Sequence, residues 1–237
     1  MTTTEFSNAF DTLVSSYRRF KDFDKRELLD SLEFDEYEKS LYLTLAQEEL
    51  VVNLYSGKNV YGESFELTEE MRRYLDELVK TKTYGTADQV SGRKISSNSK
   101  LFALPEDLAF IVHEHIVFED CSLGCCDGAS ANVYPVTHDE YNKIANNPFR
   151  GATKYKALRL DCGNNIVEII SKYSFGVYFM RYISKPQPII LEDLPNGITI
   201  DGLDVQTECE LDSFLHQTIL KRAVQMALAS KGINVES

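Results

Sequence analysis

The chain has 237 residues, and its 43% apolar content is enough to fill a sizeable core. Its formal net charge is −12, from 25 Lys and Arg against 37 Asp and Glu. That balance argues against a general nucleic-acid binder, which needs clustered cations to meet phosphates, and suits a surface that stays soluble or lets DNA pass without sticking.

Charged residues make up 26% of the chain, the proportion of an ordinary globular protein rather than a disordered one. Met1-Thr2-Thr3-Thr4-Glu5 lacks the basic start and apolar run of a secretory leader. No stretch approaches the ~20 consecutive apolar residues of a membrane span. Five scattered cysteines, an odd number, suit reduced thiols better than a disulfide framework. Together these predict a soluble protein, intracellular when made.

The first eighty or so residues read as a helical bundle (1–80). Phe6, Phe10, Leu13, Val14 and Tyr17 mark an amphipathic helix over 4–20, and Leu28, Leu29 and Leu32 suggest a short second one. Asp35 and Glu38 stand in capping-box relation and open a third, running through Leu41, Leu45, Val52 and Tyr55 to Gly57. Thr68 caps a fourth, with Met71, Tyr74, Leu75 and Leu78 as its packing seam. Residues 80–100 carry little apolar content, hold Gly85, Gly92 and Ser96-Ser97-Asn98-Ser99, and read as a loop or linker.

Strand-like runs follow at 109–118, 132–136, 157–161, 166–171 and 177–184, within a β-rich region spanning 101–206. Gly163-Asn164-Asn165 is a hairpin turn between two of them, and Thr137 and Glu140 cap a short helix that stops by Asn147. A terminal helix is expected over 208–230 within segment 207–232, capped by Thr207 and Glu210 and stopped by Lys231-Gly232. Its stripe of Leu211, Phe214, Leu215, Ile219, Ala223, Met226 and Ala227, widened by Leu220, Val224 and Leu228, closes its own subunit's core or meets a neighbour. Helices first, strands next and a helix last make the fold class α+β, with antiparallel hairpins in the middle.

Residues of chemical interest are sparse. His113 and His115 share a strand face, with Cys121, Cys125 and Cys126 following, a mixture zinc accepts. The cysteines lack the C-x2-C pairs of common zinc modules, so strand histidines and loop thiols are the plainer reading. Asp201-Gly202-Leu203-Asp204 lacks the closing Glu of a calcium loop and reads as a turn. His216 is a packed or surface histidine. No nucleophile elbow, phosphate loop or paired-carboxylate signature is present, so no catalytic residue and no cofactor is expected. Lys185-Pro186-Gln187-Pro188 withholds two amide donors, so it is a sheet edge open to strand addition or a stiff connection to the terminal helix.

Several of these stretches resemble a known family. They are Arg181-Tyr182-Ile183-Ser184-Lys185-Pro186, Pro188-Ile189-Ile190-Leu191, Cys209-Glu210-Leu211 and Leu215-His216-Gln217-Thr218-Ile219-Leu220-Lys221-Arg222-Ala223-Val224. With Pro135-Val136-Thr137-His138-Asp139-Glu140-Tyr141 and Asn147-Pro148-Phe149-Arg150, they resemble head–tail connector (neck or ring) proteins of crAss-like tailed bacteriophages, over about residues 132–230. The resemblance implies a non-enzymatic virion protein at the head–tail interface, assembled in the bacterial host cytoplasm as a homo-oligomeric ring, a dodecamer. It would adapt the portal to the tail, contact the portal and other ring proteins, and prolong a channel through which DNA passes without specific binding. Interface residues are then expected at Pro186 and Pro188 on the edge segment and at Leu211, Phe214, Leu215, Ile219 and Arg222 on the helix. The alternatives are another virion component (a different ring, a tail or a capsid-associated protein) and a zinc-binding intracellular protein or small hydrolase built on His113 and His115.

Overall fold

A computed structural model describes residues 1–20, 33–58, 68–96, 98–119, 128–145, 147–195 and 197–233. Its helices are α1 (Thr3–Phe20), α2 (Glu36–Ser56), α3 (Glu69–Tyr74), α4 (His138–Ile144) and α5 (His216–Ser230). Its strands are β1 (Val79–Tyr84), β2 (Ser99–Ala103), β3 (Leu108–Phe118), β4 (Ser130–Pro135), β5 (Lys156–Gly163), β6 (Ile166–Ile170) and β7 (Phe175–Ser184). The class is α+β, as the order of patterns predicted. The chain divides into two units, Met1–Leu78 with Pro186–Ser237, and Val79–Lys185.

In the helical unit, α1 buries Phe6, Phe10 and Val14, which recur every fourth residue. α2 starts where Asp35 Oδ1 accepts from Glu38 N at 2.6 Å and ends on Gly57 at φ 76°, a left-handed stop. Its buried face differs from the expected stripe: Leu45 and Val52 are exposed, while Ser40, Leu43, Thr44, Ala46, Gln47, Val51 and Leu54 turn inward. Lys39 is buried with them because its ammonium reaches Asp11 at 2.8 Å and Glu36 at 2.9 Å. α3 has only 6 residues and continues as a 3-10 turn, Asp76–Leu78, so Met71, Leu75 and Leu78 are buried without a long helix. Thr68 precedes α3 but makes no side-chain cap. The short helix expected around Leu28 falls outside the described residues.

The terminal helix begins later than its pattern suggested. A 3-10 turn, Ser213–Leu215, leads into α5, and Asp212 Oδ1 accepts from Phe214 N at 3.0 Å. Thr207 and Glu210 do not cap it, because the extended segment after β7 takes their hydrogen bonds. The stop is as expected: Gly232 sits at φ 78°, and Gly232 N and Ile233 N donate to the carbonyls of Ala229 and Leu228, both at 2.9 Å.

The other unit is a 7-stranded sheet in the order β1-β7-β3-β4-β5-β6-β2. All pairs are antiparallel except β4 with β5. That parallel pair departs from the expected hairpins, and it follows from α4 lying between the two strands as a crossover. The β5–β6 hairpin turns on Gly163, Asn164 and Asn165, all at positive φ, a region that Gly and Asn tolerate.

Residues 80–100 join two strands: β1 runs to Tyr84, a loop with a 3-10 turn at Thr86–Asp88 follows, and β2 begins at Ser99. Val79–Tyr84 is an edge strand, exposed from Lys80 to Thr83 and guarded by lysines, pairing β7 from Val79↔Ile183 to Tyr84↔Tyr178. Ser99 opens β2, and the preceding turn is held by the fully buried Glu168 carboxylate. Glu168 Oε1 accepts from Ile95 N at 2.9 Å and Ser96 N at 3.1 Å, and from the Ser99 hydroxyl. The polar run thus serves a buried charge, which composition alone does not reveal.

One face of the sheet carries an aromatic core in which Tyr84 stacks on Tyr178 at 5.3 Å and Phe102 lies against both. α4 covers Leu158, Leu160 and Ile170 with Ile144. Within the first core sits an ionic triad. Glu114 accepts from Arg159 Nη1 at 2.5 Å and from the Tyr178 hydroxyl, while Arg159 Nε lies 3.2 Å from Asp161. Burial, then the Glu114 carboxylate, pushes the Tyr178 phenol well up. Burial also raises Tyr84, with Tyr182, Asp88 and Glu114 adding to it.

Arg159→Met leaves the Glu114 charge buried and uncompensated, and is expected to lose about 3–5 kcal/mol in urea unfolding. Tyr178→Phe should lose about 1.5–3 kcal/mol, the value of a hydrogen bond to a charged group. Tyr84→Phe should be near neutral, because the Tyr84 hydroxyl is buried with no hydrogen-bond partner among the described residues. Raised folded-state pKa values for both phenols mean that stability is complete below about pH 10, where the unfolded tyrosines ionise, and falls as pH rises further. Unfolding midpoints at pH 8 and pH 11 check the sign, and Tyr178→Phe should flatten the decline.

Candidate functional site

β7 ends at Ser184, and two prolines then force the backbone to leave the sheet. Residues 186–191 run extended and buried apart from Gln187. An extended segment needs partners on both sides for its backbone groups. On one side α2 supplies side chains at helical spacing. Gln47 Nε2 donates to Gln187 O at 2.7 Å, Thr44 Oγ1 accepts from Ile189 N at 3.1 Å, and Ser40 Oγ accepts from Leu191 N at 3.0 Å.

The other side is closed by residues before α5. Ile190 and Thr207 exchange backbone hydrogen bonds at 3.2 and 3.0 Å, the Thr207 hydroxyl donates to Pro188 O, and Glu210 Oε2 accepts from Gln187 N at 3.1 Å. Every amide that the prolines leave is satisfied inside the subunit, so the segment is a stiff connection and not an open edge. Pro186 and Pro188 are both buried within it.

Residues expected at an interface therefore separate by exposure. Leu211, Leu215 and Ile219 are buried within their own unit, with Ile219, Ala223, Val224 and Ala227 fully enclosed. α5 packs on α2, and Arg222 holds Glu49 in a fork, Nε to Oε2 and Nη2 to Oε1, both 2.8 Å. Phe214 is 79% exposed and lines a groove with Glu69, Glu70, Arg73, Tyr74 and Asp212. Of the expected set, Phe214 and the half-exposed Arg222 reach the surface.

The chemical candidates resolve differently. His113 and His115 lie side by side with ring centroids 5.4 Å apart, and His115 stacks on Phe179 at 4.6 Å. Burial, then the neighbouring His113, lowers the His115 pKa. Cys121, Cys125 and Cys126 lie outside the described residues, and among those described no three His, Cys, Asp or Glu side chains gather as a metal site. Burial pushes the Cys209 thiol up to about 11, and it donates to Gln47 Oε1 at 3.1 Å, so it is a protonated packing group at neutral pH. Residues 200–203 form a tight turn with Asp201 and Gly202 at positive φ and Ile200 bridged to Leu203. His216 is buried against Phe6, its Nε2 2.9 Å from Leu211 O.

Sequence patterns missed the Ser40, Thr44 and Gln47 stripe, although its 4-and-3 spacing within a leucine-rich helix was a visible sign of a polar partner. They also missed Phe149, 90% exposed after α4.

The chain matches the family described as phage tail ring protein 3/4 over residues 1–237. It is 46% identical to Ring protein 3 of Bacteroides phage crAss001 over 233 residues, which are 98% of this chain and 96% of that protein. It is also 30% identical to Ring protein 4/5 of the same phage over 239 aligned positions, covering 97% and 93% of the two chains.

Thr44→Val removes the acceptor for the buried Ile189 amide, and Ser40→Ala removes the one for Leu191. Each is expected to destabilise the protein by about 1–3 kcal/mol, the cost of an orphaned buried donor, measured by urea unfolding. Leu45→Ser, on the exposed side of the same helix, should change stability far less.

Proposed function

The chain belongs to the phage tail ring protein 3/4 family, and from that premise we propose a neck ring that adapts the portal to the tail and extends the DNA channel. The coarse role follows from membership: this is a structural ring protein of a phage virion. The observation that carries the finer reading is the match to Ring protein 3 of crAss001 along nearly the whole of both chains. The higher identity to that protein than to Ring protein 4/5 favours the corresponding ring layer.

The physical features support this reading. A subunit of net charge −12 presents DNA with a wall that repels phosphates, so a genome slides past rather than binding. A closed ring needs a heterologous interface, with two different patches on each subunit, and we assign it the dodecameric order implied by the resemblance. Phe214 and Arg222 are the members of the expected interface set that a neighbouring subunit could touch. Host-cytoplasm assembly and contact with the portal and adjacent rings belong to the same proposal.

The test is the native mass of the purified protein, alone and mixed with the phage's portal protein. A discrete ring, or a complex that forms with the portal, is the expected result. A monomer at every concentration that ignores the portal would overturn the reading. Retardation of duplex DNA at physiological salt would separately defeat the idea of a non-binding channel wall.

A further inference from the structure

Two highly exposed aromatic side chains stand in opposite charge settings. Phe149 is 90% exposed on the connection between α4 and β5. That connection is tightly built. Asn147 Oδ1 accepts from Phe149 N at 2.9 Å and Arg150 N at 3.2 Å, and Gly151 N donates to Asn147 O at 2.8 Å. A Cβ at Gly151 would fall 2.8 Å from Asn147 O and 3.1 Å from Ile144 O, so glycine alone closes the loop. Thr153 N then donates to Lys156 O at 2.8 Å, and Tyr155 N to Thr153 Oγ1 at 3.2 Å.

The surroundings of Phe149 are basic and aromatic. Tyr155 is 69% and Tyr134 47% exposed. The Lys154 ammonium lies 4.7 Å over the Tyr155 ring, and that of Lys156 lies 5.2 Å over Tyr134 while donating to Arg150 O at 3.3 Å. Arg150 also meets Glu140 at 3.0 Å.

Phe214 has the complementary setting. Its groove, about 580 Å³ in volume, is lined among the described residues by Glu69, Glu70 and Asp212 against Arg73, with the Tyr74 hydroxyl donating to Glu70 at 2.7 Å and Phe214 N to Asp212 at 3.0 Å.

We propose that the Phe149 loop of one copy docks on the Phe214 groove of the next, joining copies head to tail. This rests on the ring reading above and supplies its subunit contact. The two patches are different and opposite in charge, as a heterologous interface requires. Exposed aromatics in rigid settings are the residues that anchor interfaces. Because the loop is already ordered by Asn147 and Gly151, docking forfeits little conformational freedom. Lys154 and Lys156 meet Glu69, Glu70 and Asp212 around the aromatic contact, which sets the direction of approach.

The test uses two full-length variants, Phe149→Asp and Phe214→Asp, under the conditions in which the wild type assembles, read by native mass. Both side chains are exposed, so both variants should fold, with circular dichroism and unfolding midpoints as the check. Each alone should lose ring formation, with subunit affinity down at least tenfold. Mixed together, they should form a one-to-one dimer and stop, because the intact loop of one fits the intact groove of the other and no second contact remains. Normal rings from either variant, or a mixture that yields no dimer, would overturn the contact while leaving the ring reading intact. A wild type that assembles neither alone nor with the portal would defeat the ring reading itself, and this contact with it.

Discussion

The extended segment after β7 imposes the constraint on which the helical unit depends. Two prolines take it off the sheet, and its remaining amides must be satisfied in a buried place where water does not serve. α2 answers with Ser40, Thr44 and Gln47 on one side, and Thr207 and Glu210 answer on the other. Both responses have consequences elsewhere. α2 turns its polar stripe inward and leaves Leu45 and Val52 in solvent, while Thr207 and Glu210 are withdrawn from capping, so α5 starts only at His216. Leu211 and Leu215 then close the core instead of lying on a helix surface, and Phe214 is the side chain left outside.

The sheet unit follows a related logic with charge. Glu114 and Glu168 are buried carboxylates, and each organises what surrounds it. Glu114 draws Arg159 and Tyr178 into one hydrogen-bonded group across three strands, and Glu168 gathers the backbone before β2. Buried charges paired in this way specify register and loop position, because a slipped strand would strand a charge without a partner. The parallel β4–β5 pair adds α4 and the loop after it, so the Phe149 loop is a by-product of the crossover that the sheet order demands.

For a ring component, the useful outcome of these internal constraints is a rigid surface. The sheet unit presents aromatics among lysines and the helical unit presents an aromatic among carboxylates, both on short, tightly bonded backbone. Elsewhere the thiol of Cys209 is held protonated, and His115 is stacked on Phe179. A surface of this type gives specificity through shape and charge sign, which suits the head-to-tail contact proposed above.

Local chemistry was legible in the sequence. Caps at Asp35 and Thr137, stops at Gly57 and Gly232, the Gly163-Asn164-Asn165 turn and most strands are decided by side chains within a few residues of each other. The α+β class follows from their order, and the resemblance to phage ring proteins rested on contiguous stretches. Long-range competition decided the rest. Thr207 and Glu210 form a valid capping pattern, yet Ile190 and Gln187 outbid the helix for them. The polar run before Ser99 looks like a linker until Glu168 is placed beneath it, and the spacing of Ser40, Thr44 and Gln47 hints at a polar partner without naming the proline segment it serves. Sequence by itself determined which short elements could form and what family the chain resembled. Tertiary structure alone decided which faces are buried and which aromatics remain in solvent, because a hydrogen-bond donor takes the partner that three dimensions bring nearest.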